Sequence, residues 1–171
     1  MIVSKLCVYP LKSAQGIELQ QVQVETKGFV GDREMMLVSG NGRFITQRQF
    51  PQLAKIQVRI VGQSITLQVI DNTFPSVTFI SPLDGALIEV EIWRDRFLAI
   101  DQGNEVAQWF HQFLNLPGDK VCRLVKQSSA HSRLLEKKYP NDEDQPLSLA
   151  DNYPVMLTAT ASLMELNQRI I

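Results

Sequence analysis

The chain has little of what most reactive sites are made from. Of its 171 residues, two are cysteine and two are histidine. Cys7 and Cys122 cannot build a disulfide framework or, unaided, a four-ligand zinc site. His111 and His131 stand far apart, with no H-x-x-x-H or C-x-x-C spacing. No metal site made by this chain alone is therefore expected. G-x-G-x-x-G, Walker A and G-x-S-x-G are also missing, which removes the usual signatures of dinucleotide, nucleoside triphosphate and α/β-hydrolase chemistry. Charge of one sign is lacking too: 17 basic against 18 acidic side chains leave a net −1, so a dedicated nucleic-acid binder is not expected. No apolar run approaches the ~20 residues of a membrane span. The opening Met1-Ile2-Val3-Ser4-Lys5-Leu6 does not read as a signal peptide, and a reducing, cytoplasmic setting is the expectation.

What is present is an ordinary globular composition, 44% hydrophobic and 20% charged. Short alternating apolar runs fill the first hundred residues. Ile17 and Leu19 alternate, then Val22 and Val24 with shifted parity, which predicts a bulge or bend near Gln20-Gln21. Met36-Leu37-Val38 and Phe44-Ile45 flank Asn41-Gly42, a strong hairpin signal. Ile56, Val58 and Ile60 face Ile65, Leu67 and Val69 across Gly62-Gln63-Ser64. Ile88, Val90 and Ile92 precede Phe97 to Ile100. From Gly103 the period changes: Val106, Trp109, Phe110, Phe113 and Leu114 make one helical face, with Asn104 or Asp101 as its cap. Val121 to Val125 reads as a strand, and Cys7 and Cys122 as buried thiols in apolar strands.

Residues 127–150 read as a long mobile loop, with a basic group at Arg133, Lys137 and Lys138, an acidic group at Asp142, Glu143 and Asp144, prolines at 140 and 146, and room for a short helix at Leu134-Leu135. Val155-Met156-Leu157 suits a strand. Ser162 to Glu165 has the form of a capping box opening a helix with Leu163, Leu166 and Ile170 inward. Ending on Ile170-Ile171 fits either a chain cut within a larger fold or a terminus packed on the core. The fold expected is mainly β with a few helices. A barrel-like domain spans 1–100, a connecting helix and strand 101–126, and an incomplete second domain begins at 151–171.

Three clusters could carry chemistry. In Tyr9-Pro10-Leu11-Lys12-Ser13-Ala14-Gln15-Gly16, Lys12 and Ser13 could hold an anion such as a phosphate, or form a solvated loop. In Gly28-Phe29-Val30-Gly31-Asp32-Arg33, Arg33 offers a planar fork for phosphate or carboxylate, with Asp32 orienting it or forming a local ion pair. In Arg43 to Pro51, Arg48 and Thr46 could face one pocket, or sit on a charged strand edge.

Taken in order, these clusters resemble the MOSC-domain family. The resemblance rests on Tyr9-Pro10-Leu11-Lys12-Ser13, Gly28-x-x-Gly31-Asp32-Arg33 and Phe44-Ile45-Thr46-Gln47-Arg48 with Pro51-x-Leu53-Ala54. Ile92-Trp93-Arg94-Asp95 is similar to the family's Val-Trp-Gly-Asp, with Arg94 where glycine is usual. Asp101-x-Gly103, Ala107-x-Trp109 and Cys122-Arg123-Leu124-Val125 also fit. Tyr153-Pro154, Ser162-Leu163 and Leu166-Asn167 look like the opening of the MOSC domain itself.

The resemblance implies an N-terminal β-barrel domain and molybdenum-cofactor (molybdopterin) chemistry of the amidoxime-reducing type. It implies a small N-hydroxylated substrate and an electron-donor protein or domain. Lys12, Ser13 and Arg33 are the implied cofactor contacts; the residues by themselves, not the resemblance, add Arg48 as a candidate anion contact. The family's molybdenum-ligating cysteine lies further downstream, and neither Cys7 nor Cys122 matches it. A complete protein would hold the cofactor, and this chain alone is expected to be inactive. A possible homodimer would cover the incomplete domain's apolar edge. Two other readings remain: a non-catalytic barrel module using the 127–150 loop as its contact, and a sulfur-carrier or cofactor-trafficking protein, which would need an accessible, low-pKa thiol.

Overall fold

A computed structural model describes residues 2–131, 133–135 and 145–170. Mostly strands, with two α-helices, it is organised around one antiparallel sheet whose order is β5 (Met35–Ser39), β11 (Cys122–Gln127), β10 (Asp95–Asp101) and β9 (Leu87–Ile92). Alternation sorts the side chains of this sheet onto two buried faces. Met35, Leu37, Cys122 and Leu124 enter one apolar cluster, and Met36, Val38 and Val125 enter a second with Val90, Ile92 and Ala99. That is why Met35 to Val38 reads as an unbroken apolar run.

The sheet curls as a half-barrel, and residues 42–45 bridge its two edges. The Ile45 N–H donates to the Leu37 carbonyl (2.8 Å) and the Ser39 N–H to the Arg43 carbonyl (2.9 Å). On the other side, the Glu91 N–H donates to Gly42 O (2.9 Å) and the Phe44 N–H to Glu91 O (3.3 Å). The expected Asn-Gly turn forms, but its second arm is this short bridge. Gly42 has φ +79°, and a Cβ there would lie 2.5 Å from the Glu89 carbonyl, so the crossing requires glycine.

The other face of the sheet packs on a second layer. β6 (Ile56–Val61), β7 (Ser64–Val69) and β8 (Val77–Ile80) form an antiparallel meander, with Gly62-Gln63 turning β6 into β7. Their buried residues share the first cluster with Val106, Trp109 and Phe110 of α1 (Asn104–Phe113). The Trp109 indole N–H donates to Pro75 O at 2.6 Å, and its ring stacks on Phe113. The helix and strand read over 101–126 are α1 and β11, and β11 lies inside the main sheet.

Short pairs complete the chain: β1 (Leu6–Val8) with β2 (Ile17–Leu19), β3 (Val24–Glu25) with β4 (Gly28–Phe29), and β12 (Arg133–Leu134) with β13 (Pro146–Leu147).

Several local expectations are corrected. Of the bulge or bend expected near Gln20-Gln21, the chain makes the bend, at Gln20; β2 ends at Leu19 and no bulge forms. Gly103, at φ +99°, occupies the cap of α1. Asp101 accepts the Gly103 N–H (3.2 Å), and Asn104 is already helical. Leu134 lies in β12 rather than a helix, because its neighbour Arg133 is drawn inward. Val155 to Leu157 form no strand. The helix α2 (Thr160–Arg169) starts two residues before Ser162, with no side-chain cap. Leu163, Leu166 and Ile170 are 57%, 50% and 70% exposed, not inward, because no described residue packs over that face. The charges expected at Lys137, Lys138, Asp142, Glu143 and Asp144, with Pro140 and Ile171, lie outside the described residues.

Phe110 is fully buried and Val61 63% exposed. Phe110→Ala is expected to cost about 3–5 kcal/mol by urea denaturation, and Val61→Ala under about 0.5 kcal/mol.

Candidate functional site

The turn at 9–16 is bolted to the edge strand. The Lys12 N–H donates to Met35 O (2.8 Å) and the Met35 N–H to Pro10 O (3.0 Å), while Leu11 sinks to 1% exposure. The Gly31-Asp32-Arg33 turn is tied to the same segment. The buried Asp32 carboxylate accepts the Tyr9 N–H (2.7 Å) and pairs with Arg33 Nη1 (2.6 Å), while the Arg33 N–H donates to Tyr9 O (2.8 Å). Both readings of Asp32 hold together: it is a local ion pair, and it orients Arg33. Burial pushes the Asp32 carboxyl above its usual range, and the Tyr9 N–H and Arg33 only partly offset this.

Residues 147–151 form a strap across these turns, and side chains hold it where strand pairing stops. Gln127 Nε2 donates to Leu147 O (2.8 Å). Arg133 Nη1 donates to Ser148 O (3.1 Å) and Ala150 O (2.7 Å), and the same guanidinium pairs with Asp95. Lys12 Nζ donates to Leu149 O (3.0 Å) and to Asp151 Oδ1 (2.8 Å). The Leu149 N–H donates to Arg33 O (2.9 Å). Trp93, in the two-residue turn between β9 and β10, also donates its indole N–H to Asp151 (3.2 Å).

Between strap and turns lies a cleft of about 650 Å³. Lys12, Ser13, Arg33, Thr46 and Arg48 line it from one side, and Asp151, Tyr153 and Met156 from the other. The sequence clusters thus meet in one place, including the Thr46–Arg48 pairing. Its cations differ in commitment. Lys12 is 8% exposed, and burial pushes its ammonium below the ordinary value, with Asp151 offsetting part of the shift. Burial alone would raise the Asp151 carboxyl, but Lys12, the Trp93 N–H and Arg48 together hold it below the usual range. Arg48 lies over the Trp93 ring at 5.2 Å and meets the Asp151 carboxylate only through a longer-range charge interaction. Ser13, Arg33 and Trp93 all have left-handed backbones, at φ +72°, +49° and +56°. Such strain costs of order 1 kcal/mol or more per residue and concentrates at working sites.

Sequence reasoning missed Asp151 and the strap. The nearest signal was Tyr153-Pro154, quoted only for its family likeness. His111, His131, Cys7 and Cys122 do not line this cleft. Burial raises the Cys122 thiol to about 11, which suits a structural thiol.

Residues 1–117 match the model of the MOSC N-terminal beta barrel domain. The chain belongs to this family. Within it, the chain is 32% identical to the molybdenum cofactor sulfurase of Bombyx mori, over 99% of this chain and 21% of that protein. It is 28% identical to mitochondrial amidoxime reducing component 2 of Macaca fascicularis, over 98% of this chain and 51% of that protein. The human molybdenum cofactor sulfurase is 29% identical over 99% of this chain and 19% of its own length. The chain thus spans about half of the one relative and a fifth of the others. The MOSC N-terminal match stops before β11, the strand between β5 and β10, so this sheet draws on residues beyond it.

Asp151 generates a pH prediction. Its folded pKa lies below its ordinary 3.8. The stabilisation is present above that value and is lost as pH falls through the folded pKa, because the unfolded chain takes up the proton first. Asp151→Asn removes this contribution. The Tm difference between wild type and Asp151→Asn should narrow from about pH 6 to about pH 3 in thermal melts.

Proposed function

We propose that the cleft holds the phosphate-bearing end of the molybdenum cofactor, with Lys12, Ser13 and Arg33 as its contacts and Arg48 as an outer one. The observation that carries this reading is the convergence of these side chains, from three separate stretches of sequence, on one cleft. The donors suit an oxyanion. An ammonium has three N–H groups, and Lys12 gives two of them to Leu149 and Asp151. A guanidinium has five, and Arg33 gives Nη1 to Asp32. Ser13 adds a hydroxyl, and Arg48 a planar fork.

When bound, the cofactor would supply the redox centre. The residues of this chain would bind and orient it: Asp32 aims Arg33, and the strap aims Lys12. The activity proposed for the whole protein is reduction of N-hydroxylated or related small molecules, with electrons from a partner protein or domain. The relatives named as amidoxime reducing components support that choice. A cytoplasmic setting and a homodimer through the exposed α2 face belong to the same proposal. No helix among the described residues is long and apolar enough to cross a membrane.

One observation favours a second reading. Lys12 is already paired with Asp151, so its charge also serves to hold the strap. A binding module without chemistry would use it for that alone.

Incubation of the chain extended through the rest of the catalytic domain with purified pterin cofactor, followed by gel filtration and fluorescence of the oxidised pterin, separates the two. The extended protein with an unaltered cleft should retain pterin. Lys12→Ala and Arg33→Ala should each weaken retention about tenfold or more, with circular dichroism confirming the fold. Equal retention by all three, or none by the unaltered extended protein, would leave the module reading.

A further inference from the structure

Beside the first lies a second cleft of about 670 Å³, with Trp93 in its wall. It shares Thr46 and Arg48 with the first but has its own floor and rim. Its floor is apolar: Phe44, Phe50, Trp93 and Leu116. Its rim carries three cations, Arg43, Arg48 and Lys120, and no carboxylate lines it. Arg43 is partly answered by Glu91 at 3.6 Å. Lys120 has no salt bridge to a described residue, and the charge of Arg48 is partly answered at longer range by Asp151.

We propose that this second cleft binds an aromatic carboxylate. The guanidinium of Arg48, seated over the Trp93 indole, presents the planar fork that pairs with a carboxylate through two parallel hydrogen bonds. A ring carried on that carboxylate would lie against the floor. A bare inorganic oxyanion would leave that floor wet, and an uncharged ring would leave Lys120 unanswered and Arg43 and Arg48 only partly answered. Trp93 supports the assignment independently. It is half exposed, packs edge-on to Phe44 (5.2 Å) and is held at φ +56°. A hairpin turn does not require a large aromatic in that conformation, and exposed, strained aromatics concentrate at binding sites. The proposal shares Arg48 with the cofactor reading but concerns a different ligand and a different floor, and it stands or falls on its own readouts at Phe50 and Leu116.

The test is a titration of the intact, isotopically labelled chain with benzoate, benzamide and acetate, followed by NMR. The readouts are the backbone amides of Phe50 and Leu116, which line the second cleft and not the first. Benzoate should shift both saturably. Benzamide and acetate should each bind about tenfold more weakly, since each lacks one half of the recognition. Arg48→Ala should weaken benzoate about tenfold, whereas Arg59→Ala, an exposed cation on β6, should not change it. Four results would overturn the proposal: no saturable shift, acetate matching benzoate (an adventitious ion only), benzamide matching benzoate, or benzoate binding unaltered in Arg48→Ala. Benzoate shifts confined to Lys12, Ser13 and Arg33 would also overturn it, by placing the ligand in the first cleft.

Discussion

The clamp on residues 147–151 is the constraint on which the rest of the site depends. Four successive carbonyls, from Leu147 to Ala150, accept hydrogen bonds from side chains. Backbone groups taken out of water must find partners, and here no strand supplies them beyond Leu147. Arg133 and Lys12 do so, at 4% and 8% exposure. The dependence is mutual. Removing the strap would leave Lys12 without an acceptor and Arg133 with Asp95 alone, and a buried charge left uncompensated costs several kcal/mol. Leu149 completes the clamp by filling the second apolar cluster from above. The cleft's far wall thus exists because charged groups near the barrel need carbonyl oxygens.

The barrel sets where those groups stand. Residues 42–45 bridge β5 and β9, and this closes the curl and brings Thr46 and Arg48 to the same rim as the 9–16 turn. Trp93 arrives at that rim from the β9–β10 turn. Both clefts therefore open beside one small closed structure, with Arg48 between them. Left-handed conformations fall at Ser13, Arg33 and Trp93 beside the clefts and at Asn72 and Asn115 in turns elsewhere, and not within the two-faced sheet, where packing would not tolerate them.

Strand existence was legible in the sequence wherever period two was strong, as in β6, β7 and β9, and so was α1, whose apolar face has period 3.6. The weaker signals misled for identifiable reasons. The S-x-x-E at Ser162 has the form of a cap, but a helix begins where backbone geometry allows, and here that is Thr160. Leu163 and Leu166 have the spacing of an inward face, yet spacing says only that a face exists, not that something covers it. Arg133 read as part of a solvated basic group. It is buried, because Asp95 and two carbonyls 15 and 17 residues away offer it better partners than a loop would.

By itself the sequence determined the chemistry available: two thiols in apolar strands, few imidazoles, no charge excess, and cations at 12, 33 and 48 beside turn-forming glycine and proline. Local patterning determined the strands and α1, because periodicity is a property of neighbours. Only the tertiary structure decided that these cations share one rim, that Asp151 pairs with Lys12 across 139 residues, and that Thr46 and Arg48 stand where the two clefts adjoin. Those contacts join segments far apart in the chain. Their energies come from burial and hydrogen-bond satisfaction after the sheet has closed, and no local pattern records them.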